Sequence, residues 1–338
     1  MAYAQAGDAG NGLRRLRRVW YVRFSREMQW PEGKAFAFTI FDDPDSQTLE
    51  GGRETYAFLR DVGLRTTKGV WPVRGPRQPS DHGGTCAEPD YRAWSQQLQR
   101  EGFEIALHNA TLHTSTREET IDALEKFREY FGAYPVSMAN HYYANEGIYW
   151  GDARVSGPVR LAYNVLTRWK NSHRYFGHVP GHPYFWGDLC RDRMRYVRNF
   201  AFADINTLAA CPMMPYHDPA RPFVDRWFAC SEGSNVQSLN RRIAEQEQDR
   251  LEEEGGACIM YTHFGHGYTG SAGSLDPRFR DLITRLSRKN GWFVPVSTLL
   301  DYLGSRNSAG TGRRIITPAE RRSLELRWLA HKIRFGTA

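Results

Sequence analysis

Alternating strands and helices predict an α/β fold for this chain of 338 residues. Short apolar runs of strand length recur from residue 35 onward, and most are followed by a segment with helical periodicity. Glycines close several of the helical segments, as expected at helix C-termini. Repeated βα units imply a parallel sheet with right-handed crossovers, either closed into a barrel or doubly wound.

The first half of the chain supplies four of the predicted strands. These strands span 35–41, 67–71, 103–107 and 135–139. The predicted helices between them span 51–62, 90–101 and 117–131. The third helix has the clearest start, because Ser115 and Glu118 stand at the spacing of a capping box.

The same alternation resumes near residue 226. Predicted strands span 226–230, 257–262 and 292–296, and predicted helices span 235–254 and 297–303. The run "ACIMYT" is almost continuously apolar, as expected of a strand covered on both faces. A further helix is predicted after 276, where Asp276 is placed to cap it and Pro277 stands at its first position.

A long segment at about 142–200 interrupts the regular pattern. It holds 13 aromatic residues in 59 positions, together with several Gly and Pro residues. An insertion of this length in a compact domain is usually functional, so its aromatic side chains could form a ligand platform or a small additional core. We expect three parts: a basic arm at 1–34, a domain at 35–304 that includes the insertion, and a basic tail with a helix at 305–338.

The formal charge of +7 is concentrated at the two ends of the chain. The segments "LRRLRRVWYVRFSR" (13–26) and "RWLAHKIRF" (327–335) mix basic with bulky apolar residues. Such segments pack on the protein itself or rest on an anionic membrane surface. Nucleic acid is not an expected partner, because no recognition motif accompanies the terminal charge.

The expected location is cytoplasmic, with peripheral contact at the inner membrane face as an option. No apolar segment of signal-peptide type follows the basic N-terminal residues, and no run approaches the length of a membrane span. The five cysteines are scattered and form no C-x-x-C pair, which favours reduced thiols. The oligomeric state is left open.

Polar side chains of chemical interest follow the ends of five predicted strands. In parallel βα architectures, catalytic groups lie where the strands run into βα loops. The residues at these ends are Asp42, Asp43, His108, His113, Asn140, His141, Glu232 and His263. Each position alone is explained as readily by a turn or a loop hydrogen bond, but together they predict a site.

One carboxylate and two imidazoles form a three-ligand set for a catalytic divalent metal with one position left open. His108 and His113 are near enough in sequence for one loop to bring both nitrogens to one ion. Of the adjacent pair, one aspartate can hold the ion while the other handles a proton. Zinc suits these ligands, although cobalt, nickel or iron would also fit. His263 could protonate a leaving group.

These motifs resemble the polysaccharide deacetylase family, the NodB-homology domain. The similar segments are "TIFDDPD", "EIALHNATLHTS", "ACIMYTHFG" and "GWFVPVSTLLDYL", and the resemblance covers about 35–304. The resemblance implies a distorted (β/α) barrel. It also implies hydrolysis of an N-acetyl or O-acetyl group of a sugar, with a metal-bound water as the nucleophile.

Carried over by position, the resemblance makes Asp42 the catalytic base and His263 the general acid. It makes Asp43, His108 and His113 the metal ligands. The His pair is one residue wider than is usual in the family. The third motif has Asn140 and His141 in place of an Arg and a Pro-rich turn, and the fourth is echoed only by Asp225 and Trp227. Four residues remain as candidates for substrate binding, namely Asn140, His141, Glu232 and Trp227.

The leading hypothesis is therefore a metal-dependent deacetylase of a sugar or glycoconjugate, such as an intracellular lipid-linked or nucleotide-linked glycan precursor. A second hypothesis is an amidohydrolase acting on a small non-sugar amide in a biosynthetic pathway. The third is a non-catalytic relative that binds a glycan, a metal or a membrane.

Overall fold

Seven parallel strands close into a barrel in the computed structural model, which describes residues 28–79, 81–270, 273–307 and 313–338. The strands of these residues are β1 (Phe36–Asp42), β2 (Thr67–Val70), β3 (Glu104–Leu107), β4 (Ser137–Met138), β5 (Tyr196–Phe202), β6 (Tyr216–His217), β7 (Arg226–Glu232), β8 (Ala257–Thr262), β9 (Gly291–Phe293) and β10 (Arg314–Ile315). The pairing runs from β1 through β2, β3, β4, β5, β7 and β8, and β8 pairs with β1 again. This closed ring confirms the predicted (β/α) barrel.

Helices follow most of the barrel strands and cover the outside of the sheet. Those of the described residues are α1 (Leu49–Asp61), α2 (Pro89–Arg100), α3 (Arg117–Phe131), α4 (Gly157–Leu166), α5 (Gly187–Arg193), α6 (Thr207–Ala210), α7 (Val236–Arg242), α8 (Glu245–Glu253), α9 (Pro277–Ser287), α10 (Val296–Asn307) and α11 (Pro318–Phe335). Asp276 caps α9 as predicted, by accepting a hydrogen bond from the Phe279 amide. The capping box of α3 is formed by Thr116 and Glu119, one residue later than predicted.

The interior of the barrel is apolar along β1 and β8. Both strands are fully buried, and they pair in register from Ala37 opposite Ala257 to Asp42 opposite Thr262. Parallel pairing brings the carboxyl ends of all seven strands to the same end of the barrel. The five cysteines are buried and their thiols are free, as predicted.

Two predicted segments differ from the structure. The segment at 142–200 was predicted to be irregular, yet it contains α4, α5 and most of β5, a strand of the barrel itself. The helix predicted at 235–254 is two helices, because the backbone is extended at Ala244. The buried Gln248 side chain donates a hydrogen bond to the carbonyl of Ile243 at this break, which satisfies a helix-end acceptor.

The last helix, α11, packs against α4 and β5. The buried Trp328 ring lies 5.4 Å from the ring of Tyr163 and 5.0 Å from that of Phe200. The basic segment 13–26 lies outside the described residues. Within the described ranges, no helix combines the length and apolar character that crossing a bilayer requires.

Candidate metal centre

A cavity of about 300 Å³ opens where the barrel strands end. Its lining includes six of the nine residues that the sequence singled out, namely Asp43, His108, Asn140, His141, Glu232 and His263. The lining also includes residues that the sequence did not single out, namely Asp45, Tyr142, Trp150, Arg154, Tyr163, Asn171, Arg198, Asn199, Ala201, Cys230, Ser234, Tyr261, Lys332, Gly336 and Ala338. The carboxylates and imidazoles among them identify this cavity as the candidate site.

One carboxylate and two imidazoles converge from the loops that follow β1, β3 and β4. Asp45 Oδ2 lies 3.2 Å from His108 Nε2, and Asp45 Oδ1 lies 3.1 Å from His141 Nε2. These three residues form a group whose ligand atoms all lie within 4.8 Å of one another. All three side chains are buried.

The polar atoms of this group suit a metal ion. Asp45 Oδ2 and both ring nitrogens of His108 and of His141 are buried without a hydrogen-bond partner among the described residues. Buried groups of this kind normally have a partner. Two ligands at about 2.1 Å from zinc lie about 3.4 Å apart at tetrahedral angles, close to the separations seen here. One carboxylate and two imidazoles also match the donor set of catalytic zinc sites.

The charges in this group attract one another. Burial by itself raises the pKa of Asp45, but His108 and His141 more than offset it and hold that pKa well below its usual range. Burial likewise lowers the pKa of His141, but Asp45 and Asp81 raise it to about 9. Asp81 Oδ2 lies 3.6 Å from His141 Nε2, which adds a second carboxylate at the edge of the group.

Asp43 is hydrogen-bonded to a buried arginine and not to His108 or His141. Arg198 Nη1 donates to Asp43 Oδ1 at 2.8 Å, and Arg198 Nη2 donates to Asp43 Oδ2. Burial by itself lowers the pKa of Arg198, but Asp43 more than offsets it and leaves that pKa above its usual value. Asp43 Oδ1 lies 3.7 Å from His108 Nδ1, so this carboxylate flanks the three-residue group.

His263 lies on the other side of the two carboxylates. Its Nε2 lies 3.6 Å from Asp45 Oδ2 and 4.0 Å from Asp43 Oδ2. Its Nδ1 lies 2.7 Å from the carbonyl of Ser234, which can only accept a hydrogen bond, so Nδ1 carries a proton. Nε2 is left to face the cavity, 3.2 Å from the hydroxyl of Tyr261.

Asp42 does not line the cavity. Its carboxylate is fully buried and accepts hydrogen bonds from Gln47 Nε2, the Tyr56 hydroxyl and the Phe264 amide. Lys68 Nζ lies 3.3 Å away. Burial raises the pKa of Asp42 in spite of the lysine. Side chains of successive residues in an extended chain point to opposite sides. Asp42 therefore hydrogen-bonds to residues outside the cavity, while Asp43 faces the cavity.

His113, the second expected ligand, also lies outside the converging group. Its Nδ1 lies 2.8 Å from the carbonyl of Thr114, and its Nε2 accepts a hydrogen bond from the Arg77 amide at 3.3 Å. Both ring nitrogens therefore have protein partners. His141, which the sequence assigned to substrate binding, lies at the place expected for His113.

The other three candidates for substrate binding have different surroundings. Asn140 lines the cavity, but its side-chain amide bonds the backbone N–H and carbonyl of Ile148 and so fixes the following loop. Glu232 lines the cavity and accepts a hydrogen bond from the Ala338 amide at 2.9 Å. Trp227 is buried in the core against Tyr149 and does not reach the cavity.

Sequence reasoning missed Asp45 and Arg198. Asp45 is the third acid of "DDPD". It was not considered because the adjacent pair Asp42 and Asp43 already supplied a ligand and a base. Arg198 is the one charged residue of the apolar strand "YVRNFAF", a signal that the aromatic surroundings obscured. The register of β5 against β7 shifts between Arg198 and Ala201, and such a bulge lets the neighbours Arg198 and Asn199 both line the cavity.

No family model and no curated protein matches the chain. Solved structures similar to it include proteins described as polysaccharide deacetylases from Mycobacterium smegmatis and from Pseudomonas aeruginosa PAO1, and the Puue allantoinase. The first is 13% identical, with a TM-score of 0.48, and the match covers 86% of this chain and 96% of that chain.

The match to the Pseudomonas protein has 12% identity and a TM-score of 0.44, and the match to the allantoinase has 10% and 0.45. Each covers 82% of this chain and 93% of the other. The resemblance to polysaccharide deacetylases that the motifs predict is thus found again among solved structures.

Proposed function

We propose that the chain is a metal-dependent hydrolase that removes an acetyl group from the nitrogen or oxygen of a sugar or glycoconjugate. The observation that supports this most directly is the convergence of Asp45, His108 and His141, five of whose buried polar atoms have no hydrogen-bond partner among the described residues. These three residues would hold the ion. A divalent ion bound there would supply Lewis acidity, polarising an acyl carbonyl and lowering the pKa of water.

Asp43 is the proposed general base. It lies beside the three ligands, and the bidentate contact with Arg198 fixes its orientation. Relative to the family pattern, the base and the carboxylate ligand are thus displaced along the chain, from Asp42 and Asp43 to Asp43 and Asp45. The second imidazole comes from the loop after β4 instead of from the loop after β3.

His263 is the proposed general acid. The bond from Nδ1 to the carbonyl of Ser234 fixes the ring, so Nε2 can hold a proton at the edge of the cavity. From there it would deliver the proton to the departing amine or hydroxyl. Tyr261, at 3.2 Å from the same nitrogen, would help to orient the ring.

Metal content of the purified protein is the first test. We expect about one divalent ion per chain, zinc in the first instance, and an affinity about 100-fold weaker or worse in Asp45→Asn, His108→Ala and His141→Ala. His113→Ala is the matched control, because its imidazole is buried nearby but has protein partners for both nitrogens. Equal metal content in all five proteins would refute the centre and leave the group as a buried ion pair.

Acetate release tests the reaction. Turnover of acetylated amino sugars supports the deacetylase, whereas turnover of simple amides alone would support the small-molecule amidohydrolase. Absence of both reactions in metal-loaded protein would favour a non-catalytic relative.

We also propose peripheral contact with an anionic membrane, through a surface formed by Leu161, Val165, Leu166 and Trp169, here the α4 surface. These apolar side chains are 46–62% exposed. Residues 155–187 contain four Arg or Lys and no Asp or Glu. An exposed apolar helix face with surrounding basic residues fits the interface of an anionic bilayer. A lipid-linked glycan precursor would then be near the cavity, which Tyr163 of the same helix lines.

A further inference from the structure

A buried arginine without a carboxylate partner lies in the wall of the cavity. Arg154 ends the short 3₁₀ helix Gly151–Arg154, and only 4% of the residue is exposed. Among the described residues, its guanidinium has no ion pair, and its only hydrogen bond is a long one of 3.5 Å from Nε to the carbonyl of Gly151. Its Nη1 is buried and has no hydrogen-bond partner in the described part of the chain. Burial of an unpaired charge is costly, which indicates a missing partner.

Two indole rings fix the position of this guanidinium. Its Cζ lies 4.1 Å from the ring centroid of Trp150 and 4.5 Å from that of Trp328. Neither indole accepts a conventional hydrogen bond from the guanidinium, so its N–H donors remain for a ligand. Because Arg154 lines the cavity, an oxyanion in the cavity can reach these donors.

A second cation faces the same cavity. Lys332 of α11 lines it and donates from Nζ to the carbonyl of Thr337 at 2.7 Å. Burial, together with the positive charge of Arg154, lowers the pKa of Lys332 to about 8, although Glu232 opposes the shift. Lys332 Nζ lies 5.6 Å from the ring centroid of Trp328, the same indole that Arg154 contacts, so two cations lie close together in the cavity wall and favour an anion beside them. The charge of Arg198, in contrast, is already balanced by Asp43.

We propose that Arg154 and Lys332 form a subsite for an anionic group of the substrate, either a carboxylate or a phosphate. Arginine presents paired N–H donors that match both groups. The inference rests on the proposed function only in taking the ligand to be a substrate. The subsite would anchor the anionic end while the metal centre acts on the acyl group.

Three hexoses without an acetyl group test the subsite separately from turnover. We expect calorimetry to detect binding of glucose 6-phosphate, glucuronate or both, and none of glucose. Preference between the two charged sugars distinguishes phosphate from carboxylate. Equal affinity for all three sugars, or no binding of any, would overturn the proposal.

Arg154→Met keeps the length and apolar contacts of the side chain between the indoles but removes its charge. We expect about tenfold or weaker affinity for the charged sugar in this variant. Arg168→Met, an exposed arginine of the same insertion, is the matched control and should bind as the wild type does. Unchanged affinity in Arg154→Met would overturn the proposal. If that variant does not fold, as judged by thermal unfolding, Lys332→Met replaces it with the same expectation.

Asp45→Asn separates the two proposals, because it removes a metal ligand and leaves the subsite. We expect it to bind the charged sugar like the wild type. If the wild-type protein binds the charged sugar but neither metal nor acetylated substrate, the hydrolase is refuted and the anion subsite stands.

Discussion

Asp42 and Asp43 are neighbours in sequence with different roles in the structure. Asp42 is enclosed by donors from Gln47, Tyr56 and Phe264, with Lys68 beside it. Asp43 faces the cavity and contacts Arg198. Two substitutions of the same chemistry therefore compare the proposed general base with a carboxylate that lies outside the cavity.

Asp43→Asn should lower kcat by about 10²–10⁴-fold, because the amide cannot accept the proton of the attacking water. Metal content should be unchanged, since Asp45, His108 and His141 remain. Steady-state acetate release and metal analysis of the same preparation check both statements. Wild-type turnover in a metal-loaded Asp43→Asn protein would remove Asp43 from the mechanism.

Asp42→Asn is the matched variant, and its expected effect is on stability. The amide nitrogen would face donors and leave Lys68 buried without its carboxylate, at a cost of about 3 kcal/mol in the free energy of unfolding. Denaturant unfolding measures this loss. Turnover per folded molecule should stay near the wild-type value, and a loss as large as that of Asp43→Asn would instead restore Asp42 as the base.

At the scale of elements, the loops after β3 and β4 are joined by a buried carboxylate. Glu146 accepts hydrogen bonds from Asn109 Nδ2 and from the Ser115 amide, both at 3.1 Å. Asn109 Oδ1 in turn accepts a hydrogen bond from the His141 amide at 2.7 Å. The network positions the loop that carries His141, so Glu146 supports this proposed ligand through Asn109.

The pH dependence of stability should report Glu146. Burial raises its pKa from 4.5 to about 7, so the folded state holds the proton more tightly than the unfolded state. Its stabilising contribution is therefore complete below about pH 4.5 and is lost as the pH rises through about 7. Unfolding temperatures across this range should fall with pH more steeply in the wild type than in Glu146→Gln. Identical slopes for the two proteins would contradict the assignment.

The C-terminal helix α11 depends on another buried carboxylate. Glu325 is 1% exposed and accepts hydrogen bonds from the Ser156 amide and hydroxyl and from Arg221 Nη2. Glu325→Gln removes the charge opposite Arg221, which keeps Asp218, and should cost about 3 kcal/mol in the free energy of unfolding.

Denaturant unfolding measures the change, and Glu245→Gln is the control. Glu245 forms a surface ion pair with Arg278, and exposed pairs of this kind contribute little. If the two variants had the same free energy of unfolding, the stability of α11 would not depend on the contacts of Glu325.

At the scale of the whole molecule, the α4 surface should bind anionic vesicles. We expect sedimentation with phosphatidylglycerol-containing vesicles, little with phosphatidylcholine alone, and weaker binding at high salt. Val165→Glu should reduce the bound fraction several-fold by placing a charge at the apolar face. Val136→Glu, at an exposed apolar residue before β4, is the control. Equal binding of both variants would exclude the α4 surface as the membrane contact.

Local sequence patterns were sufficient to predict the strands and helices that pack in the usual way of a βα unit. The strand "ACIMYT" and the helix after Asp276 carry the apolar pattern that a covered βα unit requires, so the strand was predicted with its bounds and the helix with its first residue. The strand β5 was missed because its residues resemble the aromatic insertion around them. Its membership in the barrel depends on pairing with β4 and β7, which are distant in sequence.

The sequence by itself determined the βα architecture and the end of the barrel where acids and imidazoles collect, because strand periodicity and chain order are local properties. Only the tertiary structure decided which of these groups meet. Asp43, and not Asp42, has its side chain on the side that faces the cavity. Closure of the ring brings Arg198 from β5 to it, and the loop after β4 supplies His141 where the sequence suggested His113.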